Sequence, residues 1–307
     1  MKISIADGAT VTLRDVTING VNSFSYQWAG ITCEGNATIV LEGVNSVKGF
    51  QNNYPGLTVT ANKTLTITGS GSLTASSNGW GAGIGGVANS STPCGNIVIN
   101  DGIITAAGGT HFSAGIGSGY GGVCGDITIN GGTVTAVGGW NSAGIGSGHE
   151  STCGNITISN SVDEVTATRG FDPDDRRLNG IYSIGPGVYG KCGKVTIAGK
   201  ETGSITQSPY TYRMVTNVIE INDEDFHVLQ DGDELTGKAL NAKVNIADGA
   251  TVVLRDLELQ GYAVPQNSWT GIGCLGDATI IIKGDNYITG YRDIIMHPQS
   301  MLRRAKL

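Results

Sequence analysis

Five aromatic residues recur at one place in the chain. Trp28, Tyr54, Trp80, Phe112 and Trp140 each stand just before a step of small residue, glycine and aliphatic residue, with Tyr182 on the sixth such step and Trp269 before a later one. Only 6% of the residues are aromatic, so their concentration here is a feature to explain. Flat aromatic faces stack on the C–H faces of pyranose rings, and a row of them at repeat spacing can follow an extended glycan. The abundant Thr, Ser, Asn and Asp side chains would supply the accompanying polar contacts. The same row could instead be packing that seals a corner, and exposure separates the two readings. These five residues are the expected carbohydrate-binding set.

A second chemical candidate is the acidic stretch "DEVTATRGFDPDDRRLNG" at 163–180, which gathers Asp163, Glu164, Asp172, Asp174 and Asp175 beside Arg176 and Arg177. Paired carboxylates are the machinery of glycoside cleavage, and Glu150 from the adjacent loop could join one of these acids. The competing readings are a solvated loop whose acids pair with its own arginines, or a calcium site. The spacing matches neither an EF-hand nor the glycine-rich nonapeptide repeat. His111 and His149 fall at variable corners and read as exposed loop residues rather than bases. "INDEDFHVLQDGDEL" at 221–235 reads as a linker with solvated acids.

Six cysteines follow a pattern of their own. Cys94, Cys124, Cys153 and Cys192 each precede "GNI", "GDI", "GNI" or "GKV", with Cys33 and Cys274 at related positions. Without a C-x-x-C pair or a histidine at ligand spacing, no metal site is expected, and no cofactor. The expectation is an inward ladder of free thiols acting as small hydrophobes, because parallel Cβ vectors suit a disulfide poorly.

All of these residues need a repeating scaffold to align them. The chain has 307 residues, 49 of them glycine, and only 15% charged; glycine is at more than twice its usual frequency of about 7%. The small-Gly-aliphatic steps begin at 29, 55, 82, 114, 143 and 182, at intervals of 26, 27, 32, 29 and 39 residues. Each interval holds only short alternating runs such as "NIVIN", "DITIN" and "TVTAV", with no helical segment. Three short strands and three corners fit such a unit, so the expected fold is all-β: a right-handed parallel β-helix of coils about 25–30 residues long. Each strand then pairs with its equivalent one coil away, and like stacks on like. Ile31, Leu57, Ile84, Ile116, Ile145 and Ile184 should form one inward ladder, and Ile97/Ile99, Ile127/Ile129, Ile156/Ile158 and Val195/Ile197 a second.

A longer duplication lies above the coil repeat. "KISIADGATVTLRDVTI" from Lys2 returns as "KVNIADGATVVLRDLEL" from Lys243 at a constant offset of 241, and the register holds through "NYITGY" at 286–291. The expected organisation is a β-helix over 1–205, a linker and start of a second unit over 206–242, and an incomplete second unit over 243–307 with an off-pattern tail from about 292. The sequence reads as a fragment of a tandem protein, without a signal peptide of its own. Open solenoid ends predict self-association. The net charge of −7 comes without a Lys/Arg-rich run or a long apolar stretch, so neither nucleic acid nor membrane insertion is expected.

The "AGIGSG…CGNITI…GGTVTAVGG" units resemble those of large β-helical surface proteins of gut and rumen bacteria, within the pectate-lyase-like superfold. The resemblance spans roughly 2–205 and 243–291. It implies a secreted or cell-surface parent protein and a polysaccharide partner, with either a non-catalytic binding or adhesin-like role or, alternatively, a glycoside hydrolase or polysaccharide lyase using loop carboxylates. The paired aspartates, Gly-His-Gly triplet and Arg-x-Lys step expected of β-helical pectin hydrolases are missing; "GHE" at 148–150 is the nearest approach.

Overall fold

The computed structural model describes residues 2–90, 92–170, 180–214, 217–223, 225–261 and 271–290. The chain divides into two compact units, 1–214 and 215–307. In the first, threonine-rich runs alternate between wall and core. In Thr64–Thr68, for example, Leu65 and Ile67 are buried while the three threonines stay half-exposed. Such strands collect into three sheets, and the fold is the right-handed parallel β-helix expected from the sequence. The first sheet stacks Ser4–Ile5, Ile31–Cys33, Leu57–Val59 and the two-residue strands Ile84–Gly85, Ile116–Gly117, Ile145–Gly146 and Ile184–Gly185. The second runs from Ala9–Arg14 to Val195–Ile197, and the third from Thr17–Ile18 to Glu164–Thr168.

Both aliphatic ladders are present in the expected register. Ile31, Leu57, Ile84, Ile116, Ile145 and Ile184 pair successively in the first sheet. Ile97/Ile99, Ile127/Ile129, Ile156/Ile158 and Val195/Ile197 do so in the second. These side chains are essentially inaccessible to solvent, and each contributes about 1.5–3 kcal/mol of burial.

The recurring "AGIGSG" can now be explained residue by residue. Gly117 has φ +135°, and a Cβ there would lie 1.8 Å from the carbonyl oxygen of Gly146 in the next coil. No side chain fits between the coils at that point. The following serines are buried and stitch neighbouring coils: Ser118 Oγ accepts from Gly148 N, and Ser147 Oγ from Gly187 N, both at 3.1 Å. At the start of the second sheet another ladder holds the coils together. Asn96 Oδ1 accepts from Asp126 N (2.9 Å), Asp126 Oδ1 from Asn155 N (2.7 Å) and Asn155 Oδ1 from Lys194 N (2.9 Å).

The last coil of the first unit is closed by antiparallel pairing. Lys200–Glu201 folds back on Val195–Ile197, Tyr210–Arg213 runs against Glu164–Thr168, and Ile205 bridges Ile184. This segment caps the edges that further coils would otherwise extend.

The cysteines depart from the expectation of free thiols throughout. Cys153 and Cys192 are disulfide-bonded with Cα atoms 4.6 Å apart, while Cys33, Cys94, Cys124 and Cys274 are free. Stacking on adjacent coils brings the two Cα atoms within bridging range, and that proximity outweighs the parallel launch of the Cβ vectors. Cys33 sits apart from the other column, in the first sheet between Ile5 and Val59.

In the second unit, Asn217–Ile221, Asp233–Leu240, Thr251–Gln260 and Thr279–Lys283 form one parallel sheet, with Tyr287–Thr289 also on Thr251–Gln260. Phe226–Leu229, Lys243–Ile246 and Ile272–Cys274 form another. Residues expected to link the units thus contribute strands of their own. The duplication extends to individual hydrogen bonds. Asp7 Oδ1 accepts from Asn36 N at 2.7 Å and Asp248 Oδ1 from Asp277 N at 2.9 Å; Asp15 Oδ1 accepts from Val44 N at 2.9 Å and Asp256 Oδ1 from Asp285 N at 3.0 Å.

Candidate functional site

Two loops flank each short first-sheet strand, one arriving from the third sheet and one leaving for the second. The arriving loops carry Trp80, His111, Phe112 and Trp140; the departing loops carry Tyr120, His149, Glu150 and Tyr189. Backbone hydrogen bonds tie each departing loop to the arriving loop of the coil before. Tyr120 N donates to Trp80 O, and His149 N to Phe112 O, each at 3.1 Å. Two sets of rings are thereby folded against one another.

Their contacts form one continuous cluster. Ring centroids lie 6.5 Å apart for Trp80–Tyr120, 5.6 Å for Tyr120–Phe112, 4.9 Å for Phe112–His149 and 5.5 Å for His149–Tyr189, and His111 links Phe112 (6.2 Å) to Trp140 (4.6 Å). The rings are mutually tilted rather than stacked in a flat row. Trp80 is 38% exposed and Tyr189 67%, so the cluster has an open face as well as a packed one.

Of the expected five, no ring packs directly on another, although Phe112 N donates to Trp140 O at 3.1 Å. Trp80, Phe112 and Trp140 enter the cluster through Tyr120 and His111. Trp28 belongs to a separate group with Tyr26 and Phe50, at centroid distances of 5.3 and 5.9 Å, and its buried Nε1 has no hydrogen-bond partner. Tyr54 is half-buried and, among the described residues, makes no ring contact. The cause is register: Trp140 bridges His111, not Phe112. Phe112 corresponds instead to Asn141, both with φ +57°, so unequal corner loops displace the aromatic positions by a residue from coil to coil. Trp269 and Asp172, Asp174 and Asp175 lie outside the described residues.

Polar chemistry is concentrated at Glu150. Its Oε2 accepts a 3.3 Å hydrogen bond from Tyr120 Oη, and Oε1 lies 3.9 Å from His149 Nδ1. The Glu150 charge, with some help from burial and that hydrogen bond, raises the Tyr120 phenol above its ordinary pKa, so it remains a donor. Glu150 is half-exposed, whereas His149 is largely covered by rings. Two other expected acids are in view: Asp163 is exposed just before a third-sheet strand, its backbone N donating to Gly132 O at 3.0 Å, and Glu164 opens that strand and pairs with Arg213 at 2.6 Å. Among the described residues no group of three or more His, Cys, Asp or Glu side chains could hold a metal ion.

Backbone conformation singles out the same residues. The position that carries Glu150 (φ +52°) and Tyr189 (φ +56°) is occupied by Asn89 (φ +50°) and Gly121 (φ +58°) in the preceding coils. Asn and Gly are the residues that adopt this left-handed conformation readily; others pay roughly 1–2 kcal/mol. Among the described residues the non-glycine positions with positive φ are Asn or Asp except Phe112, Glu150, Tyr189 and Ala198, and three of those four belong to the cluster.

Tyr120, Tyr189 and the roles of His111 and His149 escaped the sequence reading. A usable signal was present: Tyr120 and His149 both stand four residues after the isoleucine of the refrain, the latter followed by Glu150 where the coil before has Gly121.

Comparison with known proteins bears on the fold. A family model described as beta helix repeat matches residues 65–88, 97–120 and 127–149. Three coils of the first unit are therefore similar to beta helix repeats, and the second and third matched stretches end on Tyr120 and His149. No curated protein and no solved structure matches the chain.

Proposed function

We propose that this β-helix binds an extended polysaccharide across its aromatic corner without cleaving it. The observation that supports this reading most is the placement of Phe112, Glu150 and Tyr189 in left-handed backbone where other coils use Asn or Gly at the same positions. Conformational cost accepted at one surface cluster, by side chains that fold stability does not need there, is the mark of a site serving something other than the fold. The cluster suits a sugar chain. Trp80 and Tyr189 offer ring faces and edges, Glu150 accepts hydrogen bonds from sugar hydroxyls, and Tyr120 can donate or accept. Contacts that continue across several coils suit a polymer better than a single sugar.

The test is affinity electrophoresis through gels containing neutral and weakly acidic polysaccharides, with wild type beside Trp80→Ala and Trp140→Ala, each checked for its thermal midpoint. Retardation of the wild type, lost in folded Trp80→Ala, is the expected result. Equal retardation of both folded variants removes the ring platform from consideration. Release of reducing ends by the wild type would transfer the site to a carbohydrate-active enzyme, with Glu150 as its first candidate acid.

A further inference from the structure

Cys94, Cys124, Cys153 and Cys192 occupy one position on four successive coils. Cys94 N donates to Val123 O (2.8 Å), Cys124 N to Thr152 O (3.0 Å) and Cys153 N to Lys191 O (2.9 Å), so each cysteine meets the next coil in the same way. At the last rung the cysteines are already joined, with Cα atoms 4.6 Å apart. At the first, the buried Cys94 and Cys124 face each other with Sγ atoms 2.8 Å apart in a thiol–thiol hydrogen bond. A disulfide of about 2.05 Å requires the two sulfurs to approach by less than about 1 Å. With Cys153 committed to Cys192, Cys94 is the partner left to Cys124 in this column.

Access lies on the Cys94 side. A surface pocket of about 140 Å³ is lined by Thr58, Thr60, Ser90, Thr92, Pro93 and Cys94 among others. Its walls are uncharged and mostly apolar, with Val59, Val87 and Pro93 beside the hydroxyl-bearing residues, and its size suits a short-chain molecule. Cys124, equally buried, does not line the pocket.

We propose that Cys94 is a thiol–disulfide exchange site, entered through this pocket by a small-molecule disulfide, with Cys124 as the resolving thiol that closes a second inter-coil bridge. The Cys94 thiolate attacks one sulfur of the reagent R–S–S–R; a Cys94–S–R bond forms, and RS⁻ leaves with the electron pair and takes up a proton. Cys124 then loses its proton to solvent and attacks Cys94 Sγ, expelling the second RS⁻. The chain's two thiols are oxidised by two electrons and the reagent is reduced to two RSH. The order of events follows from the surroundings. Cys94 lines the pocket and Cys124 does not, so Cys94 meets the reagent first, while the contact with Cys94 and burial hold the Cys124 thiol well above its ordinary range.

The experiment uses the full chain carrying Cys274→Ser, which removes the exposed thiol of the second unit. After mild reduction sufficient to open any Cys94–Cys124 bridge, the protein is treated with cystamine and mapped by non-reducing peptide mass spectrometry. The expected products are a Cys94–Cys124 cross-linked peptide beside Cys153–Cys192, with two equivalents of cysteamine released. In Cys124→Ser the intermediate should be trapped as cysteamine held on Cys94. Isolation of the untreated protein with the Cys94–Cys124 bridge already closed supports the proposal equally. It is overturned by a Cys124–Cys153 cross-link, or by a folded Cys124→Ser chain whose Cys94 stays unmodified until the protein is denatured.

Discussion

Replacing Tyr189 by Asn tests whether the aromatic corner is there for binding or for stability. Tyr189 has φ +56°, and Asn relieves about 1 kcal/mol of backbone cost in that conformation. Against this stands the edge contact with His149 at 5.5 Å, worth roughly 0.5–1.5 kcal/mol. The ring is two-thirds exposed, so little further burial is lost. The two effects nearly cancel, and urea unfolding of Tyr189→Asn should agree with wild type to within about 0.5 kcal/mol. Retardation in polysaccharide gels should nevertheless fall several-fold. A packing role predicts the opposite combination: a loss of more than about 2 kcal/mol and unchanged retention. Either half of that combination would refute the assignment of Tyr189 to a binding surface. Glu150→Asn is the companion substitution, and retention should again fall while stability holds.

Other outcomes follow from the scaffold. Gly117→Ala should cost about 2–5 kcal/mol, combining backbone strain with overpacking, while Gly199→Ala, where the added Cβ meets nothing within 4 Å, should cost only the strain of about 1–2 kcal/mol; equal losses in urea melts would count against the inter-coil contact at Gly117. Ile116→Asp places an unpaired carboxylate in the buried ladder and should abolish soluble folded protein on expression. Ultraviolet titration should show Tyr120 ionising above the ordinary tyrosine range, and Glu150→Gln should lower its midpoint, because the Glu150 charge is the main cause of the elevation. Since the folded-state value is raised, the associated stability is present below the unfolded tyrosine pKa near 10 and is lost as pH rises through the folded value. Asp7 behaves in the reverse sense. Its hydrogen bond from Asn36 N, then the Lys63 charge, hold it below the ordinary carboxylate range, so its contribution persists above the unfolded value and disappears as pH falls through the folded one; Asp7→Asn, which keeps the acceptor, should remove that dependence.

What the sequence made legible was whatever repeats. The inward isoleucines recur because a parallel coil stacks each position on itself, and the register of Ile84, Ile116 and Ile145 follows from that constraint alone. The acceptor ladder of Asn96, Asp126 and Asn155 was present in the same repeats and went unread, since Asn and Asp after glycine also fit an ordinary turn. The antiparallel cap at 200–213 has no counterpart among the described residues, so no repeat announces it. The aromatic corner falls between these cases. Aromatic residues recur before the refrain, but the corners absorb insertions of different length, and Trp140 comes to rest on His111 instead of Phe112. A side chain at such a corner is positioned by hydrogen bonds between loops of different coils, as Tyr120 is by Trp80 O and His149 by Phe112 O. Core positions are therefore fixed by a period that sequence displays. Site positions are fixed where the period breaks, which is also where an added ring or carboxylate costs the ladder least.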